Sequence, residues 1–138
     1  MNSDPDIRRI LTDTKVIAVV GWSPRPDRPS HGVAAYLARR GYRVIPVNPG
    51  QVGVVTAWGE VVRAALAEIG GGVDMVDIFR NSDAVGPVVD QALALPGVRV
   101  IWMQLGVINH DAAARARAAG VEVVMDRCPA IEIPRLGL

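Results

Sequence analysis

Residues that could take part in chemistry are concentrated in the loop that follows the first apolar run. Residues 16–20 read VIAVV, and Gly21 breaks this run ahead of a loop that carries Arg25, Arg28 and His31. A buried strand, a glycine-led turn and a helix form the first half of a βαβ unit that binds nucleotides. The free N–H groups at the start of such a helix attract anions. This loop is therefore predicted to hold the phosphates of a nucleotide-like ligand.

The length, composition and net charge of the chain restrict the class of protein to which it can belong. Its 138 residues suit one domain covering 1–138, and half of them are hydrophobic, which allows a substantial core. The net charge of +1 argues against a general nucleic-acid binder.

Cys128 is the only cysteine, so neither an intrachain disulfide nor a cysteine-based metal framework is expected. The polar N-terminus does not look like a signal peptide, and no apolar run approaches the roughly 20 residues that span a membrane. We expect a cytoplasmic protein without a metal.

Strand patterns and helix patterns alternate along the chain. Strands are expected at 16–20, 43–47, 73–79, 98–103 and 121–125, and helices at 4–12, 30–40, 60–69, 81–95 and 109–119. Residues 51–59 fit either a short strand or an ordered loop. Ser30 is expected to cap the second helix, and the tail from Asp126 is expected to lie across the surface.

Alternation with short connections predicts an α/β fold, a Rossmann-like arrangement of three layers with a five-stranded parallel sheet. By analogy with nucleotide-binding halves, we expect the strand order 3-2-1-4-5. The order would then reverse between strands 1 and 4, and a ligand crevice would lie at their carboxyl ends.

The carboxyl ends of the predicted strands bring polar side chains to one edge of the sheet. Parallel strands all end at the same edge, so residues that follow different strands meet there. Arginines suit forked contacts to phosphate, and small polar residues can orient a ligand. The candidate binding residues are Gly21, Trp22, Ser23, Arg25, Arg28, Ser30, His31, Asn48, Pro49, Phe79, Arg80, Ser82, Gln104, Leu105 and Gly106. Trp22 could cover the ligand or pack on the loop, and His31 could bond a phosphate or face water.

The first turn departs from the pattern that binds dinucleotides. That pattern has G-x-G-x-x-G at the turn and an acidic residue about 20 positions on, which bonds the ribose hydroxyls. Here the turn reads GWSP, and the second strand ends at Asn48 and Pro49 without a carboxylate. Arg25 and Arg28 suit a ligand with more phosphate, such as coenzyme A with its pyrophosphate and 3′-phosphate. The residues favour coenzyme A, with NAD(P) as the alternative.

Five segments together match one known family. They read VIAVVGWSPRPDRPSHGVAAYL, GYRVIPVNP, VDMVDIFRNSDAV, VIWMQLGVIN and GVEVVMDRCP. On these segments the chain resembles the small stand-alone CoA-binding proteins, which are related to the nucleotide-binding domain of the succinyl-CoA synthetase α subunit. The resemblance implies a Rossmann-like domain that binds CoA or an acyl-CoA and names no reaction. It implies contacts from the turn at 21–23, Arg25, Asn48 and Pro49, Phe79 and Arg80 with Ser82, and 104–106.

Catalytic groupings are scarce in the sequence. His31 lies in the predicted phosphate loop and His110 opens a helix, and no G-x-S-x-G turn occurs. Asp74 and Asp77 are expected on one face of the third strand, where they have no partner for acid–base work. We therefore expect a non-catalytic binding module. The alternative is an enzyme that uses NAD(P) or CoA, either an oxidoreductase or an acyl-CoA ligase subunit.

Cys128 follows the fifth strand beside Arg127. A neighbouring cation favours the reactive thiolate, which would allow a mixed disulfide with the CoA thiol. A packed and inert cysteine is the other interpretation. The small-molecule ligand is the expected partner, and a homo-oligomer or a partner subunit stays open.

Overall fold

The computed structural model describes residues 2–138, in which helices cover both faces of a five-stranded parallel sheet. The strands are β1 (Val16–Val20), β2 (Arg43–Val47), β3 (Met75–Ile78), β4 (Val100–Met103) and β5 (Glu122–Val124). The helices are α1 (Asp4–Asp13), α2 (Pro29–Arg39), α3 (Val85–Leu93), α4 (His110–Ala118) and α5 (Pro129–Arg135). Short 3-10 helices span Pro49–Gln51, Leu66–Ile69 and Ser82–Ala84. None of the helices in residues 2–138 has the length and apolarity needed to cross a membrane.

The strands are apolar because both faces of the sheet are covered. Every residue of β3 and β4 is buried, as expected for central strands of a parallel sheet. On one face, α3 and α4 pack through residues such as Val89 and Ala113. On the other face, α1, α2 and α5 pack through Ile7, Leu37 and Ile133. The predicted three-layer α/β fold is confirmed.

The strand order is β2-β1-β3-β4-β5. It keeps the expected neighbours β1–β2 and β4–β5, but β3 lies between β1 and β4 instead of beyond β2. Pro46 explains this correction, because a proline has no N–H to donate and is confined to edge strands. Its carbonyl oxygen accepts from the Arg63 N–H at 3.0 Å, whereas the carbonyl of Val47 accepts from Gly21 on the β1 side. β2 is therefore an edge strand, covered on its outer side by a loop.

The segment after β2 is extended where a helix was predicted. Residues 60–65 form no helix, and only the 3-10 turn Leu66–Ile69 follows them. Val55 and Val61 form an antiparallel bridge, so the chain doubles back here as an ordered loop. Val61 and Val62 are β-branched, which favours extended backbone. The predicted helix over 60–69 is therefore wrong.

The end of the chain packs into the core. The predicted surface tail contains α5, which lies against α1 and α2. Ile133 and Leu136 are buried in the same apolar layer as those two helices. The expectation that this segment lies across the surface is therefore wrong, because its apolar residues recur at helical spacing and complete that layer.

Candidate functional site

The carboxyl ends of β1 and β3 meet where the strand order changes direction. The chain runs from β1 to β2 on one side and then crosses back over β1 to reach β3. The Gly21 N–H donates to the Val47 carbonyl at 2.9 Å, and the Phe79 N–H donates to the Val20 carbonyl at 2.8 Å. Ligands of open α/β sheets bind at such a switch point. The switch point therefore lies between β1 and β3, and the prediction that it lies between strands 1 and 4 is wrong.

Gly21 makes the close approach of these two strand ends sterically possible. Its φ is +88°, a backbone conformation that L side chains rarely adopt. A Cβ at this position would lie 2.3 Å from the Phe79 carbonyl oxygen and 3.2 Å from Cδ of Arg80. The absence of a side chain at Gly21 therefore lets the turn after β1 touch the segment after β3.

Two adjoining cavities open at these strand ends. The first has a volume of about 530 Å³ and lies among the loops that follow β1, β3 and β4. The second has a volume of about 600 Å³ and lies between the ends of β1 and β2 and the start of α3. Both are lined by Gly21, Phe79 and Arg80, so we treat them together as one groove. Each has the size of a small-molecule pocket.

Eleven of the predicted site residues line this groove. The first cavity is lined by Gly21, Ser23, Arg25, Arg28, Ser30, Phe79, Arg80, Gln104 and Leu105, and Asn48 and Pro49 line the second. Trp22, His31, Ser82 and Gly106 line neither cavity. The elements that the sequence predicted to converge at the sheet edge therefore do converge, and the four remaining residues form hydrogen bonds with neighbouring loop residues.

The groove has a positive lining. Arg25, Arg28 and Arg80 line it, and no Asp or Glu of residues 2–138 does. Arg25 pairs with Asp27 at 3.2 Å in an exposed contact. Arg28 and Arg80 form no salt bridge within the described chain. An exposed ion pair contributes little to stability, so the Arg25–Asp27 contact can be replaced by a contact to a ligand. All three guanidinium groups can therefore bind phosphate oxygens.

Hydroxyl groups hold the loop after β1 in place. The buried Ser30 Oγ accepts from the Ser23 N–H at 3.0 Å, and Ser23 Oγ accepts from the Arg25 N–H at 3.1 Å. Helix α2 begins at Pro29, so Ser30 lies in its first turn and is not the expected cap. Proline suits the start of a helix because the first N–H has no intrahelical partner. This pair of bonds fixes the segment that carries Arg25 to the groove.

Trp22 packs beneath the loop and does not cover the groove. It is 3% exposed and belongs to the apolar layer of α2. Its ring stacks on His31 with the centroids 6.0 Å apart, and its carbonyl accepts from Asn48 Nδ2 at 2.7 Å. His31 Nδ1 lies 3.1 Å from the Ser23 carbonyl. Of the two alternatives for Trp22, the structure shows packing, and His31 contacts the loop backbone.

Ser82 and Gly106 brace the loop that follows β4. The Ile108 N–H donates to Ser82 Oγ at 3.0 Å, and the Gly106 N–H donates to Asp126 Oδ1 at 2.7 Å. Asp126 has a φ of 58°, a left-handed conformation in which Asp is more frequent than most residues. These bonds fix the loop that presents Leu105 to the groove.

Gln104 is a buried polar residue of the groove lining, and it contacts a buried carboxyl group. Gln104 is 5% exposed and Asp77 is 0% exposed. With the amide oriented as the hydrogen-bond network requires, Gln104 Nε2 donates to Asp77 Oδ1 at 2.9 Å and to Oδ2 at 3.1 Å. Burial raises the pKa of Asp77 well above the ordinary value of 3.8, because desolvation disfavours the charged form.

The contact between Asp77 and Gln104 was not predicted, because Asp77 was expected to share one face of the third strand with Asp74. Residues three apart in an extended chain face opposite sides, so the expectation that these two acids share a face is wrong. Asp74 lies just before β3 and accepts from the Lys15 and Val16 N–H groups at 2.8 Å each. An acid in the middle of an otherwise apolar strand was the available signal for Asp77.

The groove also has walls that the sequence did not single out. They are formed by Pro29 and Val107 in the first cavity and by Ala64, Ala65, Ala84, Pro87, Val88 and Gln91 in the second. Ala64 and Ala65 fall in the stretch predicted as helix, so their position beside the groove was not foreseen. These residues of the second cavity are uncharged, and all of them except Gln91 are apolar. Arg80 lines this cavity too, whereas Arg25 and Arg28 line only the first.

Comparison with known proteins gives consistent matches in sequence and structure. A family model described as a CoA binding domain matches residues 15–134. The uncharacterized protein YneT of Bacillus subtilis (strain 168) is 39% identical over 126 residues, which cover 91% of this chain and 90% of that protein. A hypothetical protein from Pyrococcus horikoshii OT3 has a TM-score of 0.90 at 37% identity, covering 98% of this chain and 92% of that one. A solved structure from Thermus thermophilus has a TM-score of 0.91 at 37% identity and covers 98% and 99%.

Proposed function

Because the chain belongs to the CoA binding domain family, we propose that it binds coenzyme A or an acyl-CoA in the groove at the carboxyl ends of β1, β2 and β3. The observation that carries this proposal is the charge of the lining. Three arginines line the groove, and no carboxylate of residues 2–138 does. The pyrophosphate and the 3′-phosphate of coenzyme A would each find a guanidinium group there.

The two cavities suit chemically different parts of such a ligand. Arg25 and Arg28 line only the first cavity, and Arg80 lies where the two cavities adjoin. The wall formed by Ala64, Ala65 and Val88 suits an uncharged group. A ligand that carries phosphates together with a long neutral portion fits this division better than an isolated phosphate does.

A dinucleotide is the weaker candidate. Its ribose hydroxyls need an acidic partner near the end of the second strand, and Asn48 stands there. The Asn48 side chain is engaged on both sides, donating to the Trp22 carbonyl at 2.7 Å and accepting from the Gly50 N–H at 2.8 Å. The groove therefore offers a ribose no carboxylate from the described residues.

We propose a binding role without a chemical step. His31 contacts the loop backbone and the Trp22 ring, which gives it a structural role. Cys128 is 6% exposed and does not line the groove. Its burial supports a packed cysteine over one that forms a mixed disulfide with CoA.

Isothermal titration of the full chain with CoA, dephospho-CoA and NAD tests the proposal. We expect CoA to bind more tightly than NAD, and more tightly than dephospho-CoA because the latter lacks the 3′-phosphate. R28A and R80A should each weaken CoA binding about tenfold, the loss expected for a charged hydrogen bond. R39A, an exposed arginine at the opposite end of α2, is the matched control and should bind CoA like the wild type. Binding of NAD without binding of CoA would overturn the proposal.

A further inference from the structure

A buried acid, Asp77, contacts the amide of Gln104, which lines the groove. We propose that Asp77 is a positioning residue that holds the Gln104 nitrogen inward, so that Gln104 presents its carbonyl oxygen to the groove and recognises an N–H donor of the ligand. This inference rests on the proposed function, since it concerns the same groove and the same ligand.

Asp77 lies in the centre of the sheet. Its register partners are Val19 of β1 and Trp102 of β4, and its side chain is fully buried. In residues 2–138 its carboxyl group has one hydrogen-bonding partner, the Gln104 amide nitrogen. A buried polar group without a partner is costly, so this contact fixes the Gln104 amide. Both carboxyl oxygens lie within reach of the nitrogen, so the ionised carboxylate accepts from it. A protonated carboxyl group would instead donate its O–H to the Gln104 carbonyl oxygen, so the proposed orientation is that of the carboxylate form.

The opposite end of the Gln104 amide has no partner in the described chain. Gln104 lines the first cavity together with Arg80 and Leu105, and its side chain makes no hydrogen bond other than those to Asp77. An amide carbonyl in such a position needs a donor from water or from a ligand. Phosphate oxygens of an ionised ligand cannot supply one, so Gln104 complements the arginines and does not duplicate them.

Coenzyme A has N–H donors in two places. The pantetheine arm carries amide N–H groups, and the adenine ring carries an exocyclic amino group. Both would be recognised by the same acceptor at Gln104, and the two halves of the ligand can be tested separately. The probes are 4′-phosphopantetheine and adenosine 3′,5′-bisphosphate.

Asp77→Asn reverses the polarity of the pair at nearly constant shape. The amide introduced by this substitution would donate to the Gln104 carbonyl, and Gln104 would turn its own N–H₂ group toward the groove. We expect D77N to bind CoA about tenfold more weakly than the wild type does, the loss of one satisfied hydrogen bond. Q104L removes the acceptor and should show a similar loss. The double variant D77N/Q104L should lose no more than Q104L alone, because both changes remove one interaction.

Gln51→Leu is the matched control, since Gln51 follows β2 and lines neither cavity. The side-chain ¹⁵N signal of Gln104, assigned by its disappearance in Q104L, should shift in D77N and stay unchanged in Q51L. That signal reports the amide contact directly, which a general loss of stability would not reproduce. If D77N fails to fold, the comparison of Q104L with Q51L still tests the acceptor.

The two ligand halves identify the donor. Weakened binding of 4′-phosphopantetheine alone to D77N would support an amide of the arm, and weakened binding of adenosine 3′,5′-bisphosphate alone would support the adenine amino group. D77N and Q104L that bind CoA and both halves like the wild type would overturn this inference while leaving the proposed function intact. A wild-type chain that binds no CoA would overturn the proposed function instead.

Discussion

The α carbon of Gly21 approaches the carbonyl of Phe79 so closely that a Cβ on Gly21 would lie 2.3 Å from that oxygen. This contact joins the turn after β1 to the segment after β3, and the Phe79 N–H bond to Val20 at 2.8 Å closes the same junction. Arg80, the next residue, consequently lies above the turn and is shared by both cavities of the groove. The continuity of the groove thus depends on the absence of a side chain at one position.

Gly21→Ala should disrupt the groove and destabilise the fold. The substitution forces a left-handed φ on alanine and sets its Cβ against the Phe79 backbone. Gly120→Ala is the matched control, because Gly120 has a φ of +82° with no atom within 4 Å of an added Cβ. We expect G120A to cost about 1–2 kcal/mol from backbone strain alone. G21A should cost clearly more in urea unfolding and abolish CoA binding in titration; equal losses in the two variants would contradict the role of the close approach.

Asn48→Asp should weaken the fold without creating a dinucleotide site. The change removes the donor that bonds the Trp22 carbonyl at 2.7 Å and faces that carbonyl with a second oxygen. We expect the free energy of unfolding to fall by about 1–3 kcal/mol, the cost of leaving a partly buried hydrogen-bonding group without its partner. Titration with NAD should show no gain in affinity. Asn81→Asp is the control, since Asn81 lines the groove without a side-chain cap bond and its variant adds charge alone. Tight NAD binding by N48D would contradict the assigned role of Asn48.

Asp77→Asn should stabilise the fold in a pH-dependent manner. The pKa of Asp77 is raised by burial, so between 3.8 and the raised value the folded chain holds more protons than the unfolded chain. Stability conferred at this site therefore falls as the pH rises through that range. D77N removes this titration, so it should gain stability relative to the wild type as the pH rises and show no such gain below the ordinary pKa. Urea unfolding across the acidic and neutral range measures the difference; a gap that is constant with pH would contradict it.

The layers of this fold could be predicted from sequence because both strand faces are covered. Uninterrupted apolar runs such as 16–20 have no alternation, which indicates strands with helices on either side. The helix predicted at 109–119 is present as α4, and Oδ1 of its N-cap residue Asn109 accepts from the Ala112 N–H at 2.9 Å. Local signals of this kind need only neighbouring residues. The edge position of β2 could also be predicted from Pro46, although the expected order 3-2-1-4-5 places the second strand inside the sheet.

The remaining features depend on contacts between residues far apart in the chain. Trp22 and His31 have the types expected of ligand contacts, yet they stack on each other below the loop. The Asp77–Gln104 contact joins the middle of one strand to the end of its neighbour and exists only once β3 lies beside β4. Residue type and spacing could predict which loops meet at the sheet edge. They could not predict which side chains enter the groove and which hold it from behind.

Glu132→Gln should destabilise the chain, with an opposite dependence on pH to D77N. The Glu132 side chain is 5% exposed and accepts from Arg127 Nη1 at 2.7 Å and from Arg135 Nε at 3.0 Å. Arg135 also bonds Asp4 of α1 at 2.8 Å, so this cluster ties α5 to the first helix. The hydrogen bond from Arg135, followed by that from Arg127, keeps the pKa of Glu132 below its ordinary value of 4.5.

A lowered carboxyl pKa means that this stabilisation is complete above the ordinary value and is lost as the pH falls through the lowered one. E132Q should therefore cost about 1–3 kcal/mol at neutral pH, because the charged hydrogen bonds are weakened. The gap to the wild type should close as the solution becomes strongly acidic. Glu68→Gln is the control, since Glu68 contacts only the nearby Ala64 N–H at 3.4 Å, and its cost should stay within about 0.5 kcal/mol. Urea unfolding of the three proteins at several pH values checks both signs, and an E132Q deficit that grows toward acid pH would contradict the assignment.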